Sequence, residues 1–325
     1  MDTFWSKLPK PFLALAPLAD VTDPAYRRLI SETAAPDVMW TEFVSADGLY
    51  ATIEKKQMPD SENPLLRDFQ FSKGEGPILA QIFGSHPETI AYASQLAARL
   101  GFDGVDINMG CPDKAIEKQG AGAGMMKHPQ DAPAIIAAAK ESGLPVSVKT
   151  RIGYNTEELD TWLPVLLQEG LSALTVHLRT RKEMSLVPAH WDLAERIVAL
   201  RDTYAPDTLL IGNGDVRDTD DAYTRARESG FDGIMLGRAI FGNPWLFSER
   251  NVADISPQEK IDALVTLSTY FDELKPKKSF HIMKKHFKVF ISGWAGASEL
   301  RTQLMETNSH EELVRILSHA RTLVY

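Results

Sequence analysis

Between residues 12 and 238 the chain alternates short β-branched or apolar runs with helix-like stretches eight times, and this alternation constrains the fold more than any other feature. The runs cover residues 12–19, 38–46, 77–84, 104–110, 145–153, 173–179, 208–215 and 233–238. The stretches between them carry Pro or Asp near the start and Gly just past the end, as in 129–142 before Gly143 and 218–229 before Gly230. Repeated βα units build a parallel sheet, and eight of them in about 240 residues fit a (β/α)8 TIM barrel. An open doubly wound sheet shows the same alternation, because counting strands does not establish closure.

After Asn243-Pro244 the strand signal stops. Residues 257–274, 280–294, 297–306 and 311–324 read as amphipathic helices separated by Lys-Pro, Gly-rich and Asn-Ser breaks. The expected division is an α/β barrel over 1–250 and a small C-terminal helical bundle over 251–325. At 325 residues with 44% hydrophobic content, the chain has apolar side chains enough for both. One cysteine excludes an intramolecular disulfide framework. No apolar stretch nears the roughly 20 residues of a membrane span, and the first residues lack an export signal. The expected location is therefore cytoplasmic, without a membrane partner. Eight scattered histidines give no metal-ligand spacing.

The net charge of −9 argues against a protein that coats nucleic acid indiscriminately. The charge is unevenly spread. From Ser256 onward there are ten Lys and Arg against eight Asp and Glu, a net of +2, which leaves −11 for the rest. Lys275, Lys277, Lys278, Lys284, Lys285 and Lys288 fall within fourteen residues that contain no acid. With Phe280, Phe287 and Phe290 turned inward, this segment is expected to form a local basic surface that offers lysines to an anionic partner's phosphates. Lys114, Lys118, Lys127, Arg181 and Lys182 are further basic candidates in the loops after the fourth and sixth strands.

Barrel active sites form at the carboxyl ends of the strands. There the sequence places Gln81, Asn108, Cys111, Lys149, Arg151, His177, Arg179, Asn213, Asp215, Gly237 and Arg238. Side chains on a strand alternate, so Lys149 with Arg151, His177 with Arg179, and Asn213 with Asp215 each point one way. Any one of these has an ordinary reading as a satisfied internal polar group or a turn. Together they gather cations whose burial is expensive without an anionic partner. Gly212-Asn-Gly-Asp215 and Leu236-Gly-Arg-Ala239 close the last two strands, where barrels commonly hold phosphate. Ala16-Pro-Leu-Ala19 forms a stiff apolar ledge for a flat ring, and Gln81 presents a donor and an acceptor to a ring edge. A phosphate grip opposite a flat shelf suits FMN. Cys111 is the only thiol; a lone cysteine is often a small buried hydrophobe, but here it sits at a glycine-proline turn on the barrel mouth.

These segments resemble the tRNA-dihydrouridine synthases, FMN-containing barrel enzymes that reduce uridine in tRNA with NADPH. The resemblance rests on Ala16 to Ala19, Thr41-Glu-Phe43, Gln81-Ile-Phe-Gly84, Asp106-Ile-Asn-Met-Gly-Cys-Pro112, Val148-Lys-Thr-Arg-Ile-Gly153, Val176-His-Leu-Arg-Thr-Arg181, Asn213-Gly-Asp215 and the region from Gly233 to Pro244. It covers most of the chain in the family's order. It implies that Pro17, Leu18, Ala19, Gln81, Lys149, His177, Asn213, Gly214, Asp215, Gly237 and Arg238 contact FMN. It further implies that Asn108, Arg151 and Arg179 face the substrate base, and that Cys111 is the catalytic acid. In that chemistry reduced flavin gives a hydride to uracil carbon 6 and the thiol protonates carbon 5, on a nucleotide extruded from its stack. The loop Lys182-Glu-Met-Ser-Leu-Val-Pro-Ala-His190 departs from the family, which has a tyrosine and glycine there. No protein partner is implied, and a monomer is the simplest expectation. A small-molecule FMN dehydrogenase, acting on a substrate such as dihydroorotate, is the rival enzyme class, although it has no need of a lysine-rich tail. An RNA-binding protein on a relic barrel is the non-enzymatic alternative.

Overall fold

Phe12–Leu15 (β1) begins a set of parallel strands that continues with Met39–Trp40 (β2), Val44–Ser45 (β3), Ile78–Phe83 (β4), Gly104–Asn108 (β5), Val146–Arg151 (β6), Ala173–His177 (β7), Leu209–Asn213 (β8) and Gly233–Leu236 (β9). The computed structural model describes residues 3–248 and 250–321. The strands follow the order β1-β9-β8-β7-β6-β5-β4-β2, and β3 also pairs with β4. The two ends meet. Ala14 bridges Val38 in parallel, and Leu15 N donates to Val38 O at 3.1 Å. This closes a (β/α)8 TIM barrel and excludes the open sheet.

Each of the eight expected strands is present, but the second is broken into β2 and β3. The break has a local cause at Thr41. Its N–H keeps the ladder bond to Leu79 O at 3.0 Å, while its hydroxyl accepts from Gln81 N at 3.0 Å, where a ladder carbonyl belongs. Inside the barrel, Phe12, Ala14, Trp40, Leu79, Ala173, Ile211 and Met235 pack together with Trp5. Gly233 is required there, because a Cβ would sit 2.4 Å from the Phe12 ring. Asp218 caps the helix Thr219–Ser229 and Gly230 ends it at φ +73°, as the sequence expects.

The compact units are not consecutive in the chain. The first comprises Met1–Pro17, Asp37–Met58 and Gly76–Arg238, and the second Leu18–Pro36, Pro59–Glu75 and Ala239–Tyr325. Within the second unit, the helix Pro24–Ala34 joins Pro257–Glu273, Lys284–Phe290, Ala297–Met305 and His310–Arg321. Ser256 opens Pro257–Glu273 with a capping box to Glu259. The expected helix over 280–294 is a 3₁₀ turn, Phe280–Met283, followed by Lys284–Phe290. The helix expected over 311–324 is found to Arg321, and residues 322–324 lie outside the described residues. Phe287 and Phe290 are fully buried. A buried Arg27 ties the segments together: its guanidinium donates to Glu75 at 2.7 Å, Thr22 O at 2.8 Å and Gln70 O at 2.6 Å. No helix among the described residues is long and apolar enough to cross a membrane.

Candidate active site

Three register-matched side chains build the floor of the barrel mouth. Gln81 on β4 lies opposite Asp106 on β5, and Asp106 opposite Ser147 on β6. The Asp106 carboxylate accepts from the Ser147 hydroxyl at 2.5 Å and from Gln81 Nε2 at 2.6 Å. Burial raises the Asp106 pKa, but the Asn108 carbonyl accepts two backbone N–H groups, so its Nδ2 faces Gln81 and fixes which way the Gln81 amide points. Gln81 Oε1 therefore accepts from Asn108 Nδ2 at 3.0 Å. Asn108 Oδ1 in turn accepts from Gly110 N at 3.1 Å and Cys111 N at 2.8 Å. The result is a directed relay from a buried acid to the turn that carries the thiol.

Cys111 is partly exposed and, like Phe43, packs against the buried cluster of Phe83, Ile116 and Ala121. Burial pushes its pKa above the ordinary thiol value, against the lowering effect of the Asp113 backbone N–H and of Arg151 and Lys149. The sulfur is thus held as a neutral thiol at neutral pH.

Facing it is a group of buried and half-buried cations. Among the described residues Lys149 has one hydrogen bond, to Asn213 Oδ1 at 3.3 Å, and the Asn213 amide is fixed by donating to Met235 O at 2.8 Å. An ammonium carries three donors, so this one is underbonded. Burial first, and Arg151 second, bring its pKa down to about 8. Arg151 donates from Nε to Gly110 O at 2.8 Å and from Nη1 to Thr180 O and Met184 O at 3.2 and 3.1 Å. His177 lies in register with Arg151 and Asn213. Burial and the cations Arg151, Lys149, Arg179 and Arg238 push its pKa well down, so the ring is neutral. Its Nε2 sits 3.2 Å from Arg179 Nη1. A guanidinium can only donate, which puts the imidazole proton on Nδ1.

Arg179 is 2% exposed. It donates to Val187 O at 2.6 Å and pairs with Asp215, so its reach goes into the loop after β7. Asp215 also accepts from Ala189 N at 2.9 Å and Arg238 Nη2 at 2.6 Å, and the Arg179 hydrogen bond holds its carboxyl below the usual range. These three partners hold Asp215 at a left-handed φ of +52°, a conformation a non-glycine residue keeps only under such constraint. Gly214 beside it has φ +133° and accepts from Trp191 Nε1 at 2.9 Å. A Cβ on Gly237 would meet only the Ala16 side chain, at 3.7 Å, and Arg238 next to it has a 61% exposed side chain. Lys149, Arg151, Arg179 and Arg238 against Asp106 and Asp215 leave the rim positive. Such a rim favours an anion over a cation.

The structure thus brings Gln81, Asn108, Cys111, Lys149, Arg151, His177, Arg179, Asn213, Gly214, Asp215 and Arg238 into one hydrogen-bonded and electrostatic neighbourhood within the first unit. Ala16 N continues the β1 ladder to Leu236 O at 2.8 Å, and Pro17 ends that unit's first segment. Leu18 and Ala19 begin the second unit, where Leu18 N donates to Thr22 Oγ1 at 2.9 Å. Asp106 and Ser147 received no role from the sequence. Their shared register with Gln81 was the signal available.

The lysine segment of the second unit is less uniform than its sequence. Lys278 does not belong to a basic face: its side chain is 5% exposed and lies 3.3 Å from Asp68 and 3.8 Å from Asp23. Two acids beside it offset the cost of burying the ammonium. Lys277 pairs with Asp272 at 2.7 Å and Lys285 with Asp20 at 3.1 Å, and Lys284 donates to Met305 O at 2.6 Å. Lys275 and Lys288 are exposed.

A family model described as Dihydrouridine synthase matches residues 14–324. A Staphylococcus aureus protein named as a probable tRNA-dihydrouridine synthase is 41% identical over 319 residues, 97% of this chain and 95% of its own. A Bacillus subtilis protein named as probable tRNA-dihydrouridine synthase 2 is 42% identical over 319 residues, 97% and 96% of the two chains. Among solved structures, morphinone reductase aligns with a TM-score of 0.51 and 15% identity over 74% of this chain and 86% of its own, a likeness of fold.

Proposed function

This chain belongs to the dihydrouridine synthase family, and on that premise we propose that it reduces uridines in tRNA to 5,6-dihydrouridine with FMN as cofactor and NADPH as electron donor. The observation that carries the reading is the pairing of an underbonded, half-buried Lys149 with a thiol kept protonated on one positive rim. The residues present fit FMN: among the described residues Lys149 forms no salt bridge and feels only the more distant Asp106, Gly237 leaves open space, and the exposed Arg238 pairs with Asp215. When bound and reduced, FMN supplies a hydride to carbon 6 of the uracil ring.

The chain's own groups do the rest. Lys149 and Asn213 hold the flavin's polar edge, and the ammonium stabilises negative charge there. Gln81 has one amide N–H beyond its bond to Asp106 for the same edge. His177 stays neutral, so its Nδ1–H is a donor that adds no charge. Gly214, Asp215, Gly237 and Arg238 form the phosphate end. Asn108 and Arg151 sit where the substrate base meets the thiol, and Arg151, with a pKa near 10, remains a cation that supports charge developing on the uracil oxygens. Arg179 acts on the substrate through the loop it holds. Cys111 Sγ gives its proton to carbon 5. Purified protein is expected to be yellow and to release FMN on denaturation; colourless protein that takes up no flavin contradicts the cofactor.

For the helical unit, Lys275 and Lys288 are the lysines proposed for RNA. Reversing both to glutamate is expected to weaken tRNA binding and flatten its salt dependence, by about 0.7–0.9 in the log-log slope for each phosphate no longer neutralised. An unchanged slope in a binding titration removes them from the interface. Lys278→Glu is expected instead to lower stability.

A further inference from the structure

We infer that Glu117 is a positioning residue that holds the Cys111 loop in register with the two loops beside it, one following Arg151 and one carrying Arg179. The inference rests on the proposed reaction for its kinetic consequence, and on geometry alone for the clamp itself. Glu117 ends a one-turn helix, Lys114–Glu117, that follows directly on the Cys-Pro turn. Its side chain is only 8% exposed. Arg181, from the loop after β7, meets it with two donors: Nε bonds Oε1, and Nη2 bonds Oε2 at 2.8 Å. Such a fork-to-fork pair fixes orientation as well as distance. Tyr154, from the loop after β6, donates its hydroxyl to Glu117 Oε2 at 3.2 Å.

The two donors are themselves zipped together. Arg181 N donates to Gly153 O and Lys182 N to Tyr154 O, both at 2.9 Å. Arg181 Nη2 also reaches back to Pro112 O at 3.4 Å, next to the thiol. Lys127, at the far end of the Cys111 loop, stacks 4.3 Å from the Tyr154 ring centroid. One carboxylate therefore joins the loops after β5, β6 and β7: the first carries Cys111, the second follows Arg151 at the end of β6, and the third carries Arg179. Cys111 is otherwise held by the Asn108 cap on its N–H, by the Ala123 N–H on its O at 2.9 Å and by the Asp113 backbone N–H at its sulfur. Arg181, a basic RNA candidate by sequence, is committed to this clamp.

The experiment compares Glu117→Ala, Arg181→Ala and the double variant in FMN-loaded protein. Since the chain has one thiol, iodoacetamide uptake reports Cys111 alone. Loosening the loop is expected to speed alkylation several-fold in each single variant. The kcat for dihydrouridine formation is expected to fall by up to about 10²-fold, as for a displaced catalytic group, and the double variant to be no worse than either single one. An RNA-contact role for Arg181 predicts opposite signs: freeing it by Glu117→Ala would lower the KM for tRNA and Arg181→Ala would raise it. That result, or single effects that multiply in the double, or an unchanged alkylation rate, overturns the inference. Glu117→Asp, which keeps the charge, should recover part of the kcat. If wild-type protein forms no dihydrouridine, the proposed function fails, and the alkylation comparison still decides the clamp.

Discussion

Replacing Cys111 by alanine is expected to lower dihydrouridine formation by about 10²–10⁴-fold, the usual worth of a positioned general acid, while the FMN-loaded variant still oxidises NADPH. The two half-reactions separate because the thiol enters after the hydride has left. The small side chain leaves the Asn108 relay intact, since that relay bonds the backbone N–H of residue 111 and not its sulfur. A further sign follows from the raised pKa. Only the protonated thiol donates, so turnover falls as pH rises through the Cys111 pKa. Burial moves that pKa above the ordinary thiol value, so in the alkaline limb the Lys149 ammonium is lost first, near its pKa of about 8, and the thiol proton at higher pH. A pH–rate profile checks this, and Cys111→Ala with wild-type turnover removes the thiol from its role.

The second large effect concerns stability. Arg27→Leu is expected to destabilise the protein by about 3–5 kcal/mol, because it leaves a buried carboxylate without its cation. Glu75 has a side chain 1% exposed and Arg27 none at all, so water cannot take over. Besides the ion pair, the variant strips donors from the carbonyls of Thr22 and Gln70. Replacing both members, Arg27→Leu with Glu75→Leu, is expected to recover part of the loss, since two apolar groups need no pairing. Denaturant midpoints of the two variants measure this. Equal midpoints for the single and double variants would show that Glu75 finds another partner.

Most of the barrel was legible because its signals are local. A run of β-branched residues, a capping Asp218 and a closing Gly230 each act within a few residues. Where the sequence misled, the deciding partner was distant. Lys278 reads as one of six lysines on a basic face, yet Asp68 and Asp23 bury it, from more than two hundred residues away. Arg181 reads as a phosphate ligand, yet Glu117 claims it from 64 residues earlier. The break in the second strand turned on a single hydroxyl, that of Thr41, which propensity does not distinguish from any other strand threonine. Leu18–Pro36 follows the first strand in sequence but is grouped with the helical unit, because Arg27 and Tyr26 find their partners there: Glu75, and Ile240 O at 2.5 Å.

At the rim the alternation of strand side chains was sufficient to name the cluster, and insufficient to orient it. Which way the Gln81 and Asn108 amides point depends on the Gly110 and Cys111 N–H groups and is passed from one strand to the next. That the His177 proton lies on Nδ1 depends on Arg179. Both are set by donor-only groups, and the neighbours they orient become visible only when the sheet has closed.

The most direct measurement is nucleoside mass spectrometry of a tRNA transcript incubated without oxygen with the FMN-loaded protein and NADPH. The account predicts that uridine gains two hydrogens at one or more positions, in wild-type protein and not in Cys111→Ala. Flavin that is reduced and tRNA that is bound, with every uridine left unchanged, would contradict it.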